Sequence, residues 1–123
     1  MKPIFNRKGT TVAWLEADEI FGLEGEPLAF IWDCALYNYQ GNHIGWFESG
    51  FFVEGSGKAV AFVDDCQGSL LTPLPEIPPL APAFGSIPPM ASPSEVAPQP
   101  PLPPSDWSTL SWQEFVAVTL KAA

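Results

Sequence analysis

The side chains able to do chemistry are few in this chain and are not grouped as a catalytic set. His43 is the single histidine. A general base would need an orienting carboxylate and a pocket, and a polar residue just after a turn is expected to face solvent. Asp33 adjoins Cys34, and Asp64-Asp65 precede Cys66. No second histidine and no Cys-x-x-Cys spacing completes a metal set there. Nor is there a GxSxG, P-loop or HExxH sequence. Trp14, Trp46, Tyr37 and Tyr39 could stack on a sugar or an aromatic ligand, although rings of this kind more often build a core. The expectation is a protein that is not an enzyme, with no catalytic, cofactor-binding or metal-ligating residue.

What positions these residues is an internal repeat. Gly9, Gly25, Gly41 and Gly57 recur every sixteen residues. In the same register, Val12, Leu28, Ile44 and Val60 follow each glycine at the third place, and Ala13, Ala29, Gly45 and Ala61 at the fourth. Ile4, Ile20, Leu36 and Phe52 precede the glycines. Each unit reads as a hairpin. Asn6-Arg7-Lys8-Gly9 and Asn38-Tyr39-Gln40-Gly41 suit a type I turn closed by a glycine with positive φ. The runs on either side are β-branched and aromatic. Simple alternation puts Val12 and Trp14 on one face and Ala13 and Leu15 on the other, so these strands are apolar on both faces and must be covered on both. The column held to Ala or Gly marks a crowded place. Four units without polar caps argue for closure on themselves. The repeat also sets Cys34 and Cys66 two units apart, too distant across a ring for a disulfide. It aligns Glu16, Glu48 and Asp64 with Trp32, which suggests an acidic rim or simply a solvated turn.

The units IFNRKGTTVAWL and YNYQGNHIGWFESGFF resemble the four-fold beta flower domain of bacterial proteins, in which four hairpins form petals around an axis and a proline-rich tail often follows. The resemblance covers residues 3–67 and extends into the tail through Leu110-Ser111-Trp112. It implies the fold and carries no activity and no site. The fold class is therefore all-β: four tandem 16-residue β-hairpins closed into a small four-fold pseudosymmetric flower or barrel, then a polyproline II tail and a short C-terminal helix.

Composition marks the boundaries. Of 15 prolines, 13 lie between Pro73 and Pro104. Residues 1–70 are read as the repeat domain, 71–105 as a polyproline II arm, and 106–123 as a segment with Trp107 and a short amphipathic helix. Ser111 and Glu114 form a capping box for a helix from Trp112 to about Lys121, with Trp112 and Phe115 on one face. In the arm, Leu71, Leu74, Ile77 and Leu80 recur every third residue, and Phe84, Ile87 and Met90 do so after a shift. Polyproline II turns once in three residues, so each set makes an apolar stripe. Such a stripe suits docking, on the chain's own domain or on a neighbour, with Glu76 off the docking edge.

A net charge of −9, negative in both halves, disfavours nucleic acid and anionic lipid. No signal-peptide core and no membrane-length apolar run is present, so the default compartment is the cytoplasm. The leading functional reading is a structural or interaction module: a rigid acidic hub whose arm mediates self-association or attachment to a larger assembly. The alternative is a binding domain for a sugar or aromatic ligand.

Overall fold

Each repeat reverses the chain over a four-residue turn that ends in glycine, and in the first and third units that turn is Asn-x-x-Gly. The Gly9 and Gly41 amides donate to Asn6 O and Asn38 O, both at 2.9 Å, with the glycines at φ 81° and 86°. Asn6 Oδ1 accepts from the Lys8 and Thr10 amides, and Asn38 Oδ1 from those of Gln40 and Asn42. In the fourth unit Glu54 takes the asparagine's place, its Oε1 accepting from the Ser56 amide. In the second unit that place is Gly22, and the Glu26 carboxylate folds into the vacated space to accept from the Glu24 amide. One backbone donor is thus satisfied in the four turns by Asn6, Asn38, Glu54 and, from a different position, Glu26, which is why the repeat tolerates changes there.

The structure is a computed structural model that describes residues 1–68, 70–82, 92–94, 97 and 104–117. Eight strands follow in chain order: β1 (Lys2–Asn6), β2 (Thr11–Glu16), β3 (Glu19–Phe21), β4 (Pro27–Trp32), β5 (Ala35–Tyr37), β6 (His43–Glu48), β7 (Phe51–Val53) and β8 (Ala59–Phe62). Every strand pairs antiparallel with its sequence neighbours, and β1 with β8 through Phe5↔Phe62, so the sheet closes into a barrel. Closure leaves no edge strand to blunt. At the end opposite the glycine turns, strands meet over two-residue turns such as Asp33-Cys34, at φ 52° and 66°. Positive φ at both central residues is the hairpin geometry whose twist matches the strands.

Simple alternation fails at one column. Ile4 pairs with Ala13 but Phe5 pairs with Thr11, which leaves Val12 as an extra residue. The same slip occurs at Leu28, Ile44 and Val60. A bulge turns two successive side chains toward one face. Val12 therefore joins Ala13 and Leu15 rather than Trp14, and packs with Ile4, Ile20, Leu36 and Phe52. Those four come from alternate strands around the ring and can meet only inside it. The outer face carries Phe5, Phe30, Tyr37, Trp46, Val53 and Phe62, covered by Leu70, Ala97 and Trp107 of the C-terminal segment. Both faces are covered, as their composition demanded.

The helix α1 (Trp112–Ala117) begins at the expected capping box. Glu114 N donates to Ser111 Oγ at 3.1 Å, and Ser111 N to Glu114 Oε1 at 3.0 Å. The remainder of the expected helix, to Lys121, lies outside the described residues.

Candidate interaction surface

Among the described residues, the C-terminal segment touches the barrel at the first, third and fourth glycine turns. At the first, Glu76 N donates to Gly9 O at 2.9 Å and the Glu76 carboxylate accepts from Thr11 N at 2.8 Å. At the third, Ser94 N and Oγ both donate to Gly41 O, and Ala97 N donates to Tyr37 Oη at 3.2 Å. At the fourth, Ala59 N donates to Asp106 O and Ser108 N to Ala59 O, a parallel bridge that lays Trp107 along β8. Ser108 Oγ donates to Glu54 Oε2 at 2.9 Å. All but one of these bonds use a backbone group of the barrel or the segment, so hydrophobic periodicity could not reveal them. The turn glycines serve twice. A Cβ on Gly9 would lie 2.6 Å from Leu74 O, and one on Gly41 2.8 Å from Ser92 O, in addition to the strain of positive φ.

This route decides which way the arm faces. Pro73 and Pro75 are half-buried, whereas Leu71, Leu74, Ile77 and Leu80 are 87%, 92%, 95% and 97% exposed. The stripe is thus no docking edge toward the chain's own barrel. The start of the arm is held instead at half-buried Pro73 and Pro75 and by Glu76, a tether rather than a bystander. Trp107 sits half-buried between the edges of Phe51 and Phe62, and its indole N–H donates to Leu71 O at 3.1 Å, fixing the start of the stripe. Phe84, Ile87 and Met90 lie outside the described residues.

Trp112 and Phe115, expected among the partner-binding residues, are 4% and 1% exposed. Their rings join the inner cluster of the barrel, with Trp112 5.6 Å from Phe52. The crowding behind the small-residue column is explained in the third unit: a Cβ on Gly45 would lie 2.8 Å from the Phe115 ring. These two rings are committed to the protein's own fold.

The remaining candidates fall short of a reactive site. His43 is buried rather than solvent-facing, because its ring packs against Tyr37 and Trp46. Its Nε2 lies 2.8 Å from Gly45 O, and its ring packs edge-on against Trp46 at 4.7 Å. Cys34 and Cys66 are unbridged. Burial pushes the Cys66 thiol up, assisted by the charges of Asp65 and Asp64, and this disfavours the thiolate. Among the described residues no three His, Cys, Asp or Glu side chains gather as a metal set. On the rim, Trp32 is exposed, and Lys2 pairs with Asp65 at 2.7 Å, a surface contact of small worth. Trp14, Trp46 and Tyr37 are buried and Tyr39 half-buried, with its hydroxyl donating to Ala29 O. The rings considered for ligand stacking are therefore packing elements. A shallow cleft of about 170 Å³ lies between Asn6-Arg7-Lys8 and Thr109–Gln113.

Glu54 shows how the fourth turn is secured. Burial raises its pKa, but hydrogen bonds from Ser56, Ser108 and the Ser56 and Lys58 amides outweigh burial and hold it below the ordinary range. None of the described helices is long and apolar enough to cross a membrane.

No curated protein and no solved structure matches the chain. A family model described as 4-fold beta flower protein matches residues 2–116, spanning the barrel, the arm and most of α1. The chain belongs to the 4-fold beta flower family.

Proposed function

We propose that this protein is a non-catalytic interaction module, in which four hairpins set around one axis form a rigid acidic hub and a polyproline II arm offers a contact surface to a protein partner. One observation carries the reading: four aliphatic side chains, spaced by three, stand almost fully exposed on a backbone tethered to the barrel. Scattered apolar residues on a surface need no explanation, but a contiguous row does. Tethering matters energetically. A loose arm would lose conformational freedom on binding, whereas this one is already held in place, and pre-organisation lowers that cost. A proline-rich extended segment is a recurring recognition element for the same reason.

The test asks whether the row is spare. Leu74→Ser with Ile77→Ser should leave the melting temperature within the error of the parent, since neither side chain packs on the barrel. A loss of more than about 1 kcal/mol in unfolding free energy would mean that the row belongs to the fold, and the reading would fail.

A further inference from the structure

We infer that residues 106–108 form a clasp over the junction between β1 and β8, and that the barrel opens at this junction when the clasp lets go. Four junctions join the repeat units into a ring. Three are drawn together by a two-residue turn of the chain, and each pairs three residues with three: β2 with β3, β4 with β5 and β6 with β7. The fourth, β8 with β1, has no turn between its strands and pairs just two, Phe5 with Phe62 and Asn6 with Ala61. Pro3 contributes to the shortfall. It stands where Glu19, Ala35 and Phe51 begin β3, β5 and β7, at steps of sixteen residues. Proline has no N–H to give to a ladder, and within sheets it is confined to edges, strand starts and bulges. β1 thus keeps a mark of an edge strand inside a closed ring.

The C-terminal segment spans this junction. On the β8 side, Ala59 N donates to Asp106 O at 3.0 Å and Ser108 N to Ala59 O at 2.7 Å. On the β1 side, the Arg7 guanidinium, one residue past the strand, donates to Ser108 O at 3.1 Å. One short stretch of backbone is therefore bonded to both sides. Ser108 is buried, and its hydroxyl donates to Glu54 of the fourth turn. Trp107 lies against Phe62, whose ring meets Phe5 across the junction with centroids 5.5 Å apart. At the far end of the junction the exposed Lys2–Asp65 pair also crosses, and a pair so placed contributes little. Holding the fourth junction thus falls mainly to the clasp. Open, β1 and β8 are two free strand edges in a sheet that otherwise has none. The C-terminal segment thereby governs whether the barrel presents a surface able to pair with another strand.

Amide hydrogen exchange on the full-length chain reads such an opening, because local and global openings expose different amides. The repeat supplies its own control: Phe5 faces Phe62 as Tyr37 faces Phe30. In the parent, the Phe5 and Phe62 amides should exchange at least about tenfold faster than those of Tyr37 and Phe30. Arg7→Ala with Ser108→Ala removes the side-chain bonds of the clasp, to Ser108 O and to Glu54. It should speed the first pair roughly a further tenfold and leave the second within about twofold. Arg7→Ala alone changes an exposed side chain and should speed the first pair several-fold; it is the variant to read if the double one does not fold. Lys8→Ala, beside it, should leave both pairs at parent rates. Equal protection of the two pairs in the parent would overturn the clasp. So would a rise by one common factor in all four amides of either clasp variant, because the ring would then be opening as a whole. Phe5 and Phe62 rates that stay at parent values in the clasp variants, or that rise equally in Lys8→Ala, would do the same.

Discussion

Replacing Gly45 by alanine would make the third repeat resemble the other three, and it should nevertheless destabilise the protein. Gly45 has no positive φ, so the backbone does not demand glycine. In an ordinary strand the added methyl would gain about 0.5–1 kcal/mol by restricting the unfolded chain. Here it would lie 2.4 Å from Val53 O and 2.8 Å from two carbons of the Phe115 ring. The ring could yield by a small rotation, but the carbonyl belongs to a strand held on both sides. Overpacking of this kind costs about 1–3 kcal/mol, so a net loss of about 1–2 kcal/mol is expected, or roughly 3–8 °C in melting temperature. Urea unfolding of the four members of a cycle with Phe115→Ala reads the coupling. Phe115→Ala alone should cost about 3–5 kcal/mol. With the ring gone, the penalty for Gly45→Ala should shrink by about 1 kcal/mol, leaving only the clash with the Val53 carbonyl. A Gly45→Ala protein that gains stability, or a cycle that is additive, would show that Phe115 does not rest on Gly45 and that α1 does not close the barrel as described.

Gly41→Val should be the costlier of two changes in the third turn, by about 2 kcal/mol or more in thermal unfolding, since it combines positive φ with the approach of Ser92; Gln40→Ala, exposed beside it, should be near neutral. Glu76→Ala should raise the hydrogen-exchange rate of the Thr11 amide several-fold and Glu76→Gln much less, because the glutamine keeps an acceptor oxygen; equal rates in all three proteins would remove the tether. Tyr39 is pushed up to about 12, by burial first and then by the charge of Glu19. The unfolded phenol ionises near 10.0, so this group's contribution is complete below that pH and is lost as pH rises toward about 12. An ultraviolet tyrosinate titration in which Tyr39 ionises near 10.0 would contradict it.

Much of the barrel was legible because its signals are local and repeated. A glycine at a fixed interval, an Asn three places before it and a β-branched run after it each reflect a constraint within one unit. The capping box at Ser111 and Glu114 is local in the same sense. The bulge at Val12 was hidden because it keeps the residues apolar and alters only their register. The position of His43 just after a turn suggests solvent, whereas packing against Tyr37 and Trp46 buries it. The arm's period was visible, but a period does not say which edge faces the protein. That is decided by Glu76, Ser94 and Ser108 bonding to barrel backbone, and by proline flanks rather than leucines. Such contacts join residues 53 to 65 positions apart and leave no periodic trace.

The places where the four units disagree have a consequence of their own. A ring of near-copies offers one terminal helix several almost interchangeable seats and one returning strand several almost interchangeable edges. Departures from the repeat remove that degeneracy. Gly45 opens a seat that the alanines at the matching positions narrow. Glu54 brings a second oxygen where Asn6 and Asn38 have one, so a single side chain can hold its own turn through Oε1 and receive Ser108 through Oε2. The uniform positions specify the ring, and the exceptions act as an address written on it. A circular permutation moving the first sixteen residues behind Val63 would leave the ring's ladder intact on paper. It would also shift the start of the arm by one unit relative to that address, and the arm would then have to cover a different arc to reach the same two marks.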